Sequence, residues 1–457
     1  MARIMHDHLA PSCQGPHLRA GLKERLGMKR IIFTAASFAL AMGVSSCGGE
    51  GEPRGTLAMA ATKAAPVLTE MEELGKSIFL DENLSINGNQ SCASCHGLEV
   101  GWTGPETDIN AGGAVYEGSI KDRFGNRKPP SSAYATPSPI LHFVIEKKEA
   151  LFIGGNFWDG RATGEKLGNP AADQAQGPFL NPVEQALATP ADVVALVCAA
   201  DDYGDLFRKV WGAEACDPSN EDAAYNDIAL SIAAYEASPE VNAFTSKYDH
   251  TFRGQAKLTK QERRGFALFR GKGMCQRCHV SNGQQALFTD FTYDNLGVPR
   301  NPDNPFYTEP AFNPDGLNWV DEGLGGFLAT RISDYAPYAD ANLGKQKVPT
   351  LRNVGKGSCE AGPENPDCIV KAYAHNGYFK SLKGIVHFYN TRDIKPECPN
   401  SFTTEADALA QGCWPAPEVA DNVNVDELGD LGLTPEEEDA IVAFLMTLSD
   451  GFVIPAP

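Results

Sequence analysis

Two copies of the pattern Cys-x-x-Cys-His constrain this chain more than any other feature. They occupy residues 92–96 (CASCH) and 275–279 (CQRCH). Two thiols on one helical turn can add to the two vinyl groups of a haem, and the adjacent histidine can then supply an axial nitrogen to the iron. The motifs therefore predict two covalently bound haem c groups. The expected attachment and iron-binding residues are Cys92, Cys95, Cys275 and Cys278, with His96 and His279.

Paired cysteines can also serve two other kinds of site. A zinc ribbon uses two Cys-x-x-Cys pairs, but it places them about 15–20 residues apart, whereas these pairs stand in different halves of the chain. A thiol oxidoreductase would use one pair, but it gives no role to the two histidines. Haem attachment explains the thiols and the histidines together.

The segments that precede the two motifs resemble each other. Thr69 is followed three residues later by Glu72, and Thr259 is followed in the same way by Glu262. This is the capping-box pattern that begins a helix, and each helix then runs toward one of the motifs. The chain therefore contains an internal repeat, with one helix and one haem motif in each half.

Helical patterns also prevail in the rest of the chain. A third capping box at residues 434–437 begins a last helix, and residues 228–236 have a helical pattern as well, whereas clean strand alternation is scarce. We expect a mainly α fold with two cytochrome c-like haem domains related by the internal repeat. The expected domains are residues 66–240 and residues 255–457.

Residues 1–47 are expected to be a leader with a lipoprotein-type signal peptide. Lys29 and Arg30 precede an apolar stretch at residues 31–42, and small residues lead to Cys47. This order is typical of a secretory signal, and the apolar stretch is too short to cross a bilayer. We expect export to the periplasm and a lipid anchor on Cys47 that holds the protein at the outer membrane.

Six further cysteines fall into three neighbouring pairs. Neighbouring cysteines in an exported protein are plausible disulfide partners, and free buried thiols are the alternative. The pairs are Cys198 with Cys216, Cys359 with Cys368, and Cys398 with Cys413.

The chain is strongly acidic, with a formal net charge of −20 at pH 7. Nucleic acid binding requires a basic footprint on the protein, so the composition excludes nucleic acid as a partner. The charge suits a small molecule or a basic protein that is steered to the surface electrostatically.

Five further segments accompany the haem motifs in order along the chain. They are residues 157–161 (FWDGR), 174–184 (QAQGPFLNPVE), 288–297 (FTDFTYDNLG), 348–353 (VPTLRN) and 373–377 (YAHNG). With both motifs, over roughly residues 66–450, this set resembles the bacterial di-haem cytochrome c peroxidases and their relative MauG.

The resemblance implies roles for matched residues around the first haem. His96 would bind the iron of the haem at which peroxide reacts. Glu184 matches the distal glutamate, which moves a proton between the two peroxide oxygens, and Gln174 and Pro178 match residues that line the same pocket. Judged by its neighbours alone, Glu184 would instead be a helix-start carboxylate after an Asn-Pro pair.

Trp158 matches the tryptophan that lies between the two haems in this family. An indole at that place can relay an electron from one haem to the other. The alternative is a plain core aromatic residue, since tryptophan is usually well buried.

His279 would bind the iron of the second haem, which in the family receives electrons from a small cytochrome c or a cupredoxin. Three residues downstream could be its sixth ligand: His375, His387 and Tyr389. The resemblance places the family's ligand position, which is Met in the peroxidases and Tyr in MauG, on Tyr389. The alternative is that Tyr389 only packs against the porphyrin edge.

Two departures from the family pattern bear on the predicted sites. Many family peroxidases carry an inhibitory histidine shortly after the first motif, but residues 97–116 contain none. The first site is therefore expected to be open without reductive activation. A family calcium site uses an Asn where this chain has Lys128, with Asn126 nearby, which puts a bound calcium ion in doubt.

The predicted function is a di-haem c-type peroxidase that reduces hydrogen peroxide to water with electrons from a small periplasmic redox protein. One alternative is a MauG-like enzyme that uses peroxide to oxidise residues of a partner protein. A second alternative is a non-catalytic electron-transfer cytochrome. Glu184 and the missing inhibitory histidine argue against the electron carrier, whereas nothing in the sequence separates the first two functions.

Overall fold

Helices form most of the regular structure of this protein. The computed structural model describes residues 66–331, 335–361 and 367–455, so the expected leader and Cys47 lie outside the described residues. The α-helices of these ranges are α1 Glu70–Leu80, α2 Cys92–Cys95, α3 Thr107–Ala111, α4 Pro170–Ala175, α5 Gly177–Leu180, α6 Pro190–Ala199, α7 Gly204–Trp211, α8 Glu221–Ala237, α9 Lys247–Phe252, α10 Lys260–Arg270, α11 Gly323–Ala329, α12 Leu382–Thr391, α13 Glu405–Gln411 and α14 Pro435–Met446.

Sheet structure in the described part of the chain is limited to two antiparallel pairs. Strand β1 (His142–Glu146) pairs with β2 (Glu149–Ile153), and β3 (Tyr293–Asp294) pairs with β4 (Gln346–Lys347). The prediction of a mainly α fold is therefore confirmed. Among the described helices, none combines the length and the apolar character that crossing a membrane requires.

The predicted capping boxes begin the helices that lead to the motifs. Before α1, the Glu72 N–H donates to Thr69 Oγ1 at 3.3 Å, and the Thr69 N–H donates to Glu72 Oε2 at 2.6 Å. The same reciprocal pair joins Thr259 and Glu262 before α10, and a third box precedes α14. The first backbone N–H groups of a helix have no acceptor within the helix, and each capping box provides acceptors for two N–H groups there.

Each half of the chain contains one close helix crossing made possible by glycine. Helix α1 contacts α8 at Gly75, where an added Cβ would lie 1.9 Å from the Ser231 carbonyl oxygen. Helix α10 contacts α14 at Gly265, where the corresponding distance to the Ala440 carbonyl oxygen would be 1.8 Å. Side chains larger than hydrogen do not fit such a contact, so both halves depend on the same backbone approach.

Two large hydrophobic cores accompany these crossings. The first is built around α1, α4, α6, α7 and α8, and the second around α10, α12, α13 and α14. A smaller cluster joins the β1–β2 hairpin to α11. The described residues all belong to one compact unit, and the division into domains at residues 66–240 and 255–457 stays a prediction.

All three predicted disulfides are present. They join Cys198 to Cys216, Cys359 to Cys368, and Cys398 to Cys413. The four motif cysteines are free thiols, so the structure separates the cysteines into the two groups that the sequence predicts.

Candidate active site

The first motif faces a cavity of about 360 Å³, which we call the N-terminal cavity. It is lined by Cys92, Cys95, His96 and Glu184 among others. Helix α2 carries both thiols, and the His96 N–H that follows it donates to the Cys92 carbonyl oxygen at 3.0 Å. Burial raises the pKa of the Cys92 thiol to about 12, with smaller contributions from the nearby carboxylates. A thiol oxidoreductase needs a thiol with a lowered pKa, so these surroundings do not suit that activity.

His96 is oriented by two partners at one of its ring nitrogens. Its Nδ1 lies 3.1 Å from the Trp102 carbonyl oxygen and 3.1 Å from Ser132 Oγ. Burial lowers the pKa of His96 to about 4, so the imidazole is neutral at pH 7. Because Nδ1 is held by these contacts, Nε2 is the nitrogen left to bind an iron in the cavity.

Glu184 lies in the turn that follows helix α5. Its Oε1 accepts a hydrogen bond from Asn181 Nδ2 at 2.8 Å. Burial raises the pKa of Glu184, and this effect outweighs the lowering by the Arg161 charge and by the Asn181 hydrogen bond. The next helix, α6, begins only at Pro190, so Glu184 is not the helix-start carboxylate that its neighbours alone would suggest. A buried carboxyl of this kind can accept a proton and then donate it.

The other residues assigned to peroxide chemistry share this cavity. Gln174 on α4, Pro178 on α5 and Trp158 all line it together with Glu184. Gln174, Pro178 and Glu184 reach this cavity together because α4, α5 and the following turn are consecutive along the chain.

Trp158 lies between the N-terminal cavity and a second one, since its side chain lines both. The residue is 8% exposed, and its Nε1 donates to the Lys128 carbonyl oxygen at 2.8 Å. Trp158 is therefore a buried aromatic residue, and it also lies between the two cavities, so one interpretation does not exclude the other.

The second cavity, which we call the C-terminal cavity, has a volume of about 230 Å³ and is lined by Cys275, Cys278 and His279 among others. Here the motif begins in a 3-10 turn rather than an α-helix. His279 Nδ1 lies 2.8 Å from the Phe288 carbonyl oxygen, and burial lowers the pKa of this histidine. As in the first cavity, Nε2 is left to bind an iron.

The structure separates the three candidates for the sixth ligand. His387 faces away from the C-terminal cavity, because its Nδ1 lies 2.9 Å from Glu438 Oε1. His375 lines the cavity, but its Nε2 lies 3.1 Å from Glu418 Oε2. Tyr389, on α12, lines the cavity, and burial raises the pKa of its hydroxyl. Tyr389 is therefore the candidate whose side chain faces the cavity without an ion-pair partner.

Lys128 is buried beside both cavities. Its Nζ donates to Thr103 Oγ1 at 2.7 Å and to the Pro129 carbonyl oxygen at 2.9 Å. Burial lowers the pKa of Lys128 to about 7. A calcium ion needs six to eight oxygen ligands, and an amino group in their midst does not fit that requirement. The surroundings of Lys128 therefore give no support to a calcium site at this position.

Buried ion pairs connect the walls of the two cavities, a feature that the sequence analysis did not identify. Arg127 lines the N-terminal cavity, and its Nε lies 2.6 Å from Oδ2 of Asp321, which lines the C-terminal cavity. A second nitrogen of the same guanidinium lies 2.6 Å from Asp159 Oδ2. Since Asp159 directly follows Trp158, these pairs fix the segment that carries the bridging tryptophan.

Glu236 and Ser132 are two further cavity residues that the sequence analysis missed. The signal for Glu236 was a lone carboxylate in the apolar segment ALSIAAYEA of helix α8. Ser132 gave no signal, since serine is common in loops. Both residues reach the N-terminal cavity through contacts between segments that lie far apart in the sequence.

Comparisons with known proteins agree with this arrangement. A family model described as di-haem cytochrome c peroxidase matches residues 69–257. The methylamine utilization protein MauG of Paracoccus denitrificans is 35% identical over 398 residues, which cover 85% of this chain and 91% of that protein. The cytochrome c551 peroxidase of Nitrosomonas europaea is 29% identical over 290 residues, which cover 63% of this chain and 67% of that protein.

Solved structures give a similar result. The diheme peroxidase BthA of Burkholderia thailandensis is 29% identical, with a TM-score of 0.66, and the match covers 83% of this chain and 86% of that chain. A MauG-like protein associated with microbial copper homeostasis matches with a TM-score of 0.56 over 89% of this chain and 98% of that one. Its identity is 22%, so this second likeness concerns the fold alone.

Proposed function

The chain belongs to the di-haem cytochrome c peroxidase family that includes MauG, and from this membership we propose that it reduces hydrogen peroxide to water. The electrons would come from a small periplasmic redox protein, either a cytochrome c or a cupredoxin. The observation that carries the proposal is Glu184, a buried carboxyl with a raised pKa in the cavity of the first motif. An electron carrier has no use for such a proton-transfer group.

The cavities fit covalently bound haem c. Each is lined by two free thiols, the neutral imidazole of a motif histidine and many apolar side chains, as thioether attachment and an axial ligand require. When bound, each haem would supply an iron that exchanges electrons one at a time. Calcium forms no part of the proposal.

We also propose that the two haem sites belong to cytochrome c-like domains related by an internal repeat. The support is a set of contacts that occurs twice. Each half has a capping box, a glycine helix crossing and a motif histidine whose Nδ1 faces a backbone carbonyl.

The chain's own residues would manage the protons of the reaction. Reduction of one hydrogen peroxide to two waters consumes two electrons and two protons. Glu184 would take the proton from one peroxide oxygen and give it to the other, so that the O–O bond breaks with loss of water. Gln174 and Pro178 would limit how water and peroxide can be placed beside this carboxyl, and Trp158 would shorten the electron path between the cavities.

The stoichiometry of the reaction tests this function. A reduced small cytochrome c is mixed with the protein and a limiting amount of hydrogen peroxide, and donor oxidation is followed by absorbance. We expect two donor molecules to be oxidised per peroxide. Absence of donor oxidation, with no reaction of the protein with peroxide, would favour the non-catalytic electron carrier.

Tyr389 favours a second candidate, a MauG-like enzyme that uses peroxide to oxidise residues of a partner protein. A phenolate ligand stabilises the oxidised iron, whereas a Met thioether raises the reduction potential. A C-terminal haem with Tyr389 as ligand would hold oxidising equivalents better than it would store easily transferred electrons. This candidate predicts peroxide-dependent oxidation of a protein substrate without consumption of a small donor.

Replacing Tyr389 with methionine should raise the reduction potential of the C-terminal haem by on the order of 100 mV or more, because a weaker donor replaces the phenolate. Potentiometric titration followed by absorbance measures the shift. His387→Gln is the matched control on the same helix, since His387 pairs with Glu438 and does not line the cavity. An unchanged potential in the Tyr389 variant would show that this residue does not bind the iron. The MauG-like function would then lose its main support.

We propose further that the protein is periplasmic and is anchored to the outer membrane through a lipid on Cys47. The three disulfides support an oxidising compartment. Cys47→Ser should move the protein from the membrane fraction to the soluble fraction or leave it uncleaved, as fractionation and mass spectrometry would show. A wild-type protein that is already soluble, with its mature N-terminus elsewhere, would refute the anchor.

A further inference from the structure

Glu236 is a buried carboxyl that the proposed mechanism does not use. It lies at the C-terminal end of α8, is 3% exposed and lines the N-terminal cavity. Burial raises its pKa to about 8, and the Ser132 side chain acts in the opposite direction. A group that lowers the pKa of a carboxyl favours its charged form, so the Ser132 hydroxyl lies close enough to this carboxyl to serve as its donor.

Ser132 connects this carboxyl to the iron ligand of the same cavity. Its Oγ lies 3.1 Å from His96 Nδ1. A neutral histidine that offers Nε2 to iron carries its proton on Nδ1, so this N–H donates to the Trp102 carbonyl oxygen and to Ser132 Oγ. The single proton of the serine is then left for an acceptor other than His96, and Glu236 is the neighbouring carboxyl. An imidazole, a hydroxyl and a carboxyl thus follow one another in the order that a chain of hydrogen bonds requires.

The other half of the chain provides an internal comparison. Ser131 Oγ donates to the Gly101 carbonyl oxygen at 2.8 Å, and Thr350 Oγ1 donates to the Leu287 carbonyl oxygen at 2.6 Å. In both halves the next carbonyl along the chain faces Nδ1 of the motif histidine. Ser131 and Thr350 are therefore equivalent positions.

This equivalence shows that the serine and the carboxyl accompany only one of the two motif histidines. The residue after Thr350 is Leu351, which therefore corresponds to Ser132. The two glycine crossings align α8 with α14, and in that alignment Glu236 corresponds to Leu445. Both leucines line the C-terminal cavity. Two apolar side chains thus replace the serine and the glutamate beside His279.

We propose that Glu236 is a positioning residue of the peroxide site, which acts through Ser132 to fix His96 and to increase electron donation from its Nε2. The inference rests on the proposed function, because it assigns His96 to the peroxide-reducing haem. Partners that accept the other N–H of a metal-bound histidine orient the ring and make it a stronger ligand. A stronger ligand stabilises the oxidised iron, so the hydrogen-bond chain lowers the reduction potential of the N-terminal haem alone.

The test compares variants of the full-length di-haem protein by potentiometric titration in the absence of peroxide. Glu236→Leu introduces the residue found at the equivalent position and removes the acceptor. We expect the ratio of reduced to oxidised N-terminal haem at a fixed potential to rise about tenfold, which is ~59 mV for one electron. The potential of the C-terminal haem should not change. Glu236→Gln keeps a carbonyl acceptor of the same shape and should retain most of the wild-type value.

A double-mutant cycle shows whether the effect passes through the serine. Ser132→Ala should raise the potential in the same direction, and adding Glu236→Leu to it should produce no further shift. The iron–histidine stretching frequency of the reduced N-terminal haem, measured by resonance Raman, should fall in both single variants. Asp227→Asn, elsewhere on α8 and outside the cavity lining, is the control and should change neither quantity.

Three results would overturn the proposal. They are an unchanged N-terminal potential in Glu236→Leu, equal shifts of both haems, and additive shifts in the double variant. If Glu236→Leu does not take up both haems, Ser132→Ala still decides the question, because it should raise the N-terminal potential alone and an unchanged potential would overturn the proposal. No measurement here involves turnover. The expected potential shift in a protein that does not reduce peroxide would therefore refute the proposed function, while the effect of Glu236 on His96 would still hold.

Discussion

Replacing Glu184 with glutamine should lower peroxide reduction by about 10²-fold or more while both haems remain bound. Glutamine keeps the shape of the side chain and can still meet Asn181, but it cannot take up and release a proton. General acid–base help of this kind typically contributes about 10²–10⁴-fold to a rate. Steady-state peroxide turnover with a reduced donor gives the factor, and absorbance spectra confirm that both haems are present.

The pH profile adds a second criterion for the same variant. The carboxylate form of Glu184 must be present to accept the first proton, so the wild-type rate should decline as the pH falls through the raised pKa of this group. The glutamine variant should lack that decline. Glu165→Gln is the matched control, because this glutamate pairs with Arg331 and lines neither cavity. Near-normal turnover in Glu184→Gln would show that this residue has a structural role and does not transfer the proton.

Removing both thiols of the first motif should have the largest effect of all. Cys92→Ala combined with Cys95→Ala leaves no sulfur to bond a haem in the N-terminal cavity. We expect the covalent haem content to fall from two per chain to one, with peroxide turnover reduced to background. Mass spectrometry and the pyridine haemochrome spectrum count the remaining haem.

The control for this variant removes another pair of cysteines. Cys198→Ala with Cys216→Ala should retain two haems and lose about 3 kcal/mol of unfolding free energy, the typical contribution of a disulfide with a short loop. Exported wild-type protein with fewer than two covalent haems, or with zinc bound at the motif cysteines, would contradict the haem assignment.

Local sequence was sufficient for the features that depend on nearby residues. The capping boxes at Thr69 and Thr259 begin helices as predicted, since each involves side chains only three residues apart. The disulfides were also predictable from proximity. Local sequence alone did not choose among His375, His387 and Tyr389, because their partners, such as Glu438, come from other helices. The choice of Tyr389 came from the family resemblance.

The surroundings of His96 illustrate why the rest of the site escaped prediction. Ser132 and Glu236 come from a loop and from a helix in different parts of the chain, and only the packing of α8 beside the motif brings them together. Their role becomes visible when the equivalent positions, Leu351 and Leu445, are compared. That comparison requires the register of the helix crossings, which the sequence repeat does not supply on its own.

The three disulfides bear on the order in which the chain matures. Their cysteines are 18, 9 and 15 residues apart, so each bond closes a short loop. A wrong pair between one of these cysteines and a motif cysteine would close a much longer loop and would lose more chain entropy. In an oxidising compartment the native crosslinks should therefore form first, by local collision, and leave the motif thiols reduced for thioether formation. The remaining competitor is the disulfide within each Cys-x-x-Cys pair, so a reductant must act on the motifs before haem delivery.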